Sequence, residues 1–526
     1  MSAWGFVMIN RIVRFVLLFV FFVFSVLAAI RIINYVQSAT SGTNDDNATE
    51  FIAPILRQEL KPLSTCISFT DVKPTPQEML TEIETDWGTL TFSTYGATLE
   101  RLIAKHKVGS AIQEIPVLFP AARINRARQS FLVAFSDNTP YYYELSDRQD
   151  SVTDTTVSYK AETNYFIVRK AFVVSKHMPK LDVRLELTPK RAESNATIEP
   201  RVLLSSPAIP ELHKKDFIAG IVMDKNGTFK KYARESIDTQ RGWFAPRLFG
   251  SEDKYFVNAL VGDEYNFVQR AYYHIVDNKD IVSFLEGPVV RDHQAWLLSF
   301  YCGPKDIKTL RLVDQRLEHT LGYTGLLAPV ARAILHILQT LYGYTGNYGW
   351  AIILLLLAMQ LLMVPFTLQG ERQLKKAKEY KKKLAYIQHR YRDDRDALAR
   401  EQMELMRKYG MPGLGGCLPV LLIRMPVFFA LNQVLNNAIE LYKAPFLWIS
   451  DLSMADPYFV FPLLVVIGML AQSYTVDPSQ RVQVIMLALI FGAISTTLSA
   501  GLTLYIAVST ILGVVQALVT RVFKLA

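Results

Sequence analysis

Beyond Gly322 the chain carries five apolar runs, at 350–368, 417–441, 458–475, 482–498 and 502–520, each of bilayer-spanning length or just under it. Backbone placed in hydrocarbon must satisfy its own hydrogen bonds, so runs of this kind fold as helices. A sixth run, 15–30, continues through 32–36, with Arg11 and Arg14 before it and Arg31 placed to snorkel at its far end. A cleaved signal peptide would use the same two arginines, but no good A-x-A site follows, so residues 1–36 read as a transmembrane helix. Half of the 526 residues are hydrophobic while 20% are charged, and mean hydropathy is +0.17. That mixture suits a membrane protein with a sizeable water-soluble part.

Residues 37–322 are that part. "LDVRLELTP" alternates apolar and charged residues, the pattern of a half-buried strand. "IETDWGTLTFSTYGATLERL" and "NYFIVRKAFVVS" add strand-like runs rich in aromatic and β-branched residues. An antiparallel β-sandwich follows, with "SGTNDDNATE" as its N-terminal tether. Residues 323–345 contain Arg332, His336 and Gln339 on one side of an otherwise apolar helix, which fits an amphipathic helix lying in the membrane interface. Residues 346–526 complete the chain with five spans, so the fold class is a polytopic α-helical membrane protein of six transmembrane helices with a large extracytoplasmic all-β domain.

Lys and Arg orient it. The connection 370–410 is dense with them from Arg372 to Lys408, Arg481 sits in a short connection, and Arg521 and Lys524 follow the last span. With Arg11 and Arg14, all of these fall on one side, which the positive-inside rule makes the cytoplasm. Both ends are then cytoplasmic and the β-domain is outside. Within 370–410, Leu384, Ile387 and Tyr391, then Leu398, Met403 and Met406, are spaced like the seam of a helical hairpin. Its lysines suit either a solvated face that enforces topology or contact with anionic lipid or ribosomal RNA. No base-reading motif is present. Three cysteines are too few for a disulfide framework, and the eight histidines lack the spacing of a zinc site. No cofactor is expected.

The apolar runs have a polar interior. "LLLLAMQLLMVPF" (354–366) holds Gln360; the next run holds Arg424, Asn432, Gln433, Asn436 and Asn437. The run 458–475 holds Gln472 and Ser473, and in the last run Tyr505, Ser509, Gly513 and Gln516 share one helical face. Polar groups on several spans must face one another or a common wet cavity. Gln360 lies about 13 Å and Arg424 about 10 Å from the cytoplasmic ends of their spans at 1.5 Å per residue. The plainer readings are an interhelical hydrogen bond for Gln360 and snorkelling to headgroups for Arg424.

Local motifs carry a family resemblance: "GNYGWAI" (346–352), "GLGGCLP" (413–419), "MPVFFAL" (425–431), "APFLWISDLSMADPYF" (444–459), "DPSQ" (477–480), "SAGLTLY" (499–505) and, in the β-domain, "YCGPKD". With the order of segments, these resemble a Gram-negative member of the YidC/Oxa/Alb membrane-protein insertase family. The resemblance implies a β-supersandwich domain in the periplasm and an insertase core in the inner membrane. That core surrounds a hydrophilic groove open to cytoplasm and lipid, here Gln360, Arg424, Asn432, Tyr505, Ser509 and Gln516. It also implies a greasy slide for the client, here Met425, Pro426, Phe428, Ile490 and Phe491. The family's groove arginine falls at Gln360, and its usual glutamine before Met-Pro falls at Arg424, as if charge and amide had exchanged places. Implied partners are nascent membrane proteins, the Sec translocon, membrane lipids and, through the basic hairpin, the ribosome. Such a protein makes and breaks no bonds. The rival classes are a small-solute transporter, for which no inverted repeat is visible, and a membrane-tethered sugar-acting enzyme, for which no paired carboxylates stand out.

Overall fold

Alternating side chains build the first half of the chain. In the computed structural model, Leu181, Val183, Leu185 and Leu187 of the strand Lys180–Pro189 are buried while their neighbours are not, as the period of two requires. The model describes residues 78–522 except 109–110, 119–128, 136–140, 191–196, 208–217, 240, 277–279, 324–326, 392–394, 410–417 and 475–480. It gives backbone alone at 107–108, 111, 276, 365–378, 381, 395, 408–409, 418–426 and 520–522. The N-terminal run, the tether, Cys66 and "DPSQ" therefore lie outside the described residues.

Between Leu80 and Pro304 the described strands form antiparallel sheets of four, five and nine strands. The nine-stranded sheet runs from Phe229–Ala233 at one edge to Glu144–Asp150 at the other. Near its middle, Gln294–Pro304 pairs with Lys180–Pro189. The smaller sheets pack on its inner face. Phe92 of the four-stranded sheet lies 4.5 Å from Phe172, centroid to centroid, and Tyr273 of the five-stranded sheet stacks on Phe249 at 4.4 Å. This is the large β-rich domain that the alternating runs demanded.

Strict alternation has one costly outcome. In Phe166–Ser175 the inward positions are Phe166, Val168, Lys170, Phe172 and Val174, so a lysine enters the core at 0% exposure. Its ammonium donates to the carbonyls of Gly96, Ala97 and Phe131. All three residues have left-handed backbone, with φ of 64°, 44° and 67°. Burial drives the Lys170 pKa well down, and the three carbonyls offset part of the cost of keeping a proton there.

Eight α-helices follow among the described residues: α1 (Ile307–Val313), α2 (Ala328–Thr345), α3 (Tyr348–Arg390), α4 (Arg395–Tyr409), α5 (Leu418–Asn437), α6 (Val460–Ser473), α7 (Arg481–Ser495) and α8 (Ala500–Val522). Asp306 caps α1 by accepting from Thr309 N at 3.0 Å. Asn347 caps α3 by accepting from Gly349 N at 2.9 Å. α2 buries Ala331, Ile334, Leu335 and Leu338 and exposes Arg332 and His336, while Gln339 donates to Glu440 Oε1 at 2.7 Å.

The sheet and helices share a hydrophobic core. Leu248, Val257 and Val261 of the nine-stranded sheet join a cluster with α2, with Ala351 and Ile352 of α3, and with Leu431 and Val434 of α5. Tyr442, just after α5, is fully buried and reaches the main β-core, its ring 5.1 Å from that of Tyr255. Gln113 of the four-stranded sheet donates to Lys443 O at 3.1 Å.

α3 runs unbroken for 43 residues from the apolar segment into the basic stretch, so the first arm of the hairpin is the same helix as the apolar segment. Among the described residues of the hairpin, Ile387 and Leu405 are buried, whereas Met403 and Met406 are exposed. The return arm is therefore rotated from the seam expected at 403 and 406. Among the described residues, one helix segment, Ala500–Val519, is long and apolar enough to cross a membrane; Tyr348–Val364, Val460–Ser473 and Arg481–Ser495 are shorter apolar helices.

Candidate functional site

α3 settles where Gln360 points. Leu361 and Leu362 are exposed on its outer side at 72% and 66%, while Met359, Gln360 and Met363 turn inward toward a cavity of about 400 Å³. Val427 and Phe428 of α5, Gln472 of α6, and Tyr505, Ser509, Thr510 and Gly513 of α8 complete its wall with neighbouring leucines. The pocket is apolar with a few convergent polar groups, the usual composition of a ligand pocket.

Gln360 Nε2 donates to Gln516 Oε1, tying α3 to α8. Gln472 Nε2 donates to Thr510 O at 3.1 Å, tying α6 to α8. Gly513 makes room for the second bond, because a Cβ there would stand 2.8 Å from Gln472 Nε2. Ser509 and Thr510 return their hydroxyls to Ile506 O and Ala507 O, one turn back. Phe428 and Tyr505 face each other across the pocket at 5.9 Å. The groups described here are neutral amides, hydroxyls and sulfur.

The remaining expected residues are distributed as follows. Asn432 accepts from Asn436 Nδ2 at 2.8 Å within α5, and is not among the pocket's lining residues. Ile490 and Phe491 lie on the exposed side of α7, away from that lining. Arg424 stands in α5 one turn before Phe428; its side chain and those of Met425 and Pro426 lie outside the described residues. Thr510 and the pair Met359 and Met363 belong to the pocket without having been expected there, and Gln472 joins them. Gln472 was visible as an amide in an apolar run, but only packing shows that α6 presents it to α8.

Residues 80–337 match the family described as YidC periplasmic domain, and residues 340–525 match the 60Kd inner membrane protein family. A Wolinella succinogenes protein named membrane protein insertase YidC is 30% identical over 418 residues, covering 77% of this chain and 75% of that one. The chain belongs to the YidC family. A YidC of Helicobacter pylori is 39% identical over 283 residues, 52% of this chain and 50% of its own. One of Citrifermentans bemidjiense is 34% identical over 272 residues, 50% of each. The chain thus spans about half the length of several YidC relatives it matches. YidC membership makes the β-rich part a periplasmic domain and the helical part that of an inner membrane protein.

Proposed function

We propose that the protein is a membrane protein insertase and chaperone. It receives hydrophobic segments of nascent membrane proteins in the pocket between α3, α5, α6 and α8 and releases them into the inner membrane, alone or beside the Sec translocon. The observation that carries this reading is the inward turn of Gln360 toward Gln516, with Leu361 and Leu362 exposed on the other side. An apolar client segment gains by entering lipid, while its polar flank resists crossing. A polar recess partway into the bilayer shortens the hydrocarbon path of that flank, and no covalent chemistry is required.

In this reading the chain has six spans, with both ends and the 370–410 hairpin in the cytoplasm, where the hairpin's lysines meet ribosome or lipid. Its divisions are 1–36, 37–322, 323–345 and 346–526. Arg424 supplies the groove's cation, being four positions from Phe428, a spacing that shares a helix face. Asn432 lies farther along the same helix. The outgoing segment slides along Met425, Pro426, Phe428, Ile490 and Phe491. The last two are supported by their exposure as large apolar side chains on a lipid-side helix.

The decisive experiment reconstitutes the purified protein in vesicles and synthesises a single-span client beside them. Protease protection above that of empty vesicles is expected. Equal protection in both, with solute uptake present, would favour a transporter instead; sugar turnover by the isolated vesicles would favour the enzyme reading.

A further inference from the structure

Between α5 and α6 the chain makes a tight hairpin at Phe446–Ile449. Phe446 N donates to Ile449 O at 2.8 Å and Ile449 N to Phe446 O at 2.9 Å, leaving Leu447 and Trp448 as the two turn residues. Leu447 has φ of +53°, in the first central position where hairpins favour glycine or another residue tolerant of left-handed backbone. A leucine there costs on the order of 1 kcal/mol or more in backbone strain. It gains no burial in return, because its side chain is 66% exposed. In water this residue is wrong on both counts.

Everything beneath the turn is packed. Phe446 and Ile449 are buried, Trp350 sets its ring edge-on to Phe446 at 5.6 Å, and Trp448 lies 5.0 Å from Phe461. Trp448 donates its indole N–H to Asp456 Oδ1 at 3.2 Å, so the ring keeps a polar handle on one side and an apolar body on the other. Beyond Asp456, Phe459 repeats the arrangement of Leu447, with φ of +56° and 53% exposure. It heads an exposed apolar row, Phe459, Leu463 and Ile467, spaced four residues apart into α6. The tip is therefore continuous with the apolar outer surface of a helix of the membrane part.

We propose that the Leu447–Trp448 tip, with Phe459, is a finger inserted into the lipid of the outer leaflet. The occupant is the acyl-chain boundary beneath the headgroups. A rigid turn carrying apolar residues, with tryptophan at its shoulder, matches that layer. The finger is distinct from the pocket; its leaflet rests on the proposed orientation, and its insertion does not depend on how clients are handled.

The test places an environment-sensitive fluorophore at Leu447→Cys and, separately, at Tyr458→Cys, which adjoins Phe459 and is exposed. The background is Cys66→Ser, Cys417→Ser with buried Cys302 retained, in vesicles of phosphatidylethanolamine and phosphatidylglycerol. Arg148→Cys, on the exposed strand Glu144–Asp150, gives the aqueous reference. The expected result is blue-shifted emission at Leu447→Cys and Tyr458→Cys. Quenching should be stronger by lipids with a doxyl group near the headgroup than at the chain end, and iodide should have little effect. Emission and iodide quenching equal to the Arg148→Cys reference at both positions, without doxyl quenching, would overturn the finger and leave the patch to a protein partner.

Discussion

Gly349 lies under the ring of Phe446 so closely that a Cβ added to it would stand 2.1 Å from two ring atoms. The first turn of α3 and the hairpin after α5 meet there without a spare methyl group of space. Gly349→Ala is expected to destabilise the protein by about 1–3 kcal/mol through overpacking. Thermal unfolding in detergent checks it, and Phe446→Leu combined with Gly349→Ala should recover part of the loss. An unchanged midpoint for the single variant would mean the ring has room to move.

The exchange of charge and amide between Gln360 and Arg424 gives a functional prediction. Arg424→Ala should impair client insertion in reconstituted vesicles, and Gln360→Ala should be milder. The double exchange, Gln360→Arg with Arg424→Gln, should restore activity, because one cation again serves the pocket at similar depth. Gln360→Arg alone should lower stability through repulsion between two cations in a poorly solvated site. Normal insertion by Arg424→Ala would remove Arg424 from the groove.

Asp253 gives a pH dependence. Burial pushes its carboxyl up to about 6, against the pull of the Phe256 amide and the Lys305 ammonium. An unfolded aspartate titrates near about 3.9, so across that window the folded chain binds more protons than the unfolded one. This group's contribution is therefore full below the window and is lost as pH rises through it. Asp253→Asn should remove that slope while keeping both backbone bonds, since Tyr255 N and Phe256 N both donate to Oδ1, at 2.7 and 2.6 Å. Melting midpoints of variant and parent across the window should diverge as pH rises; parallel curves would refute the assignment.

Topology can be read with impermeant thiol reagents on intact cells. A cysteine at Arg148 in the β-domain should be modified from outside, and one at Arg400 in the hairpin should not. Labelling of Arg400→Cys from the periplasm would reverse the orientation drawn from the charges.

Cys302 is buried at 1% exposure, and burial holds its thiol far above the ordinary range. It should resist maleimide until the domain unfolds. Both it and Cys66 are expected as free thiols; a Cys66–Cys302 crosslink in non-reducing mass spectrometry would contradict that.

How much of this was legible beforehand depends on what periodicity encodes. Alternation in 180–189 identifies the buried residues of a strand directly, because one face of the sheet is solvated and a slip by one residue would invert every side chain. Tyr505, Ser509 and Gly513 were legible for a similar reason: a helix repeats on one face, and all three line the pocket. What periodicity does not encode is the neighbour. Asn432 and Asn436 bond to each other along α5, an outcome as compatible with an i, i+4 pair as with a pocket lining. The partnership of Gln472 with Thr510 depends on which helix lies beside α8, a fact of tertiary packing. The strained Leu447 was equally hidden, since leucine carries no signal for left-handed backbone.

The continuity of α3 has a mechanical meaning. From Gln360 to Arg390 is about 45 Å of helix at 1.5 Å per residue, with Pro365 and Gly370 lying between the pocket and the basic tip. Pocket wall and basic tip therefore share one backbone, whose interior hydrogen-bond ladder lacks a donor at Pro365.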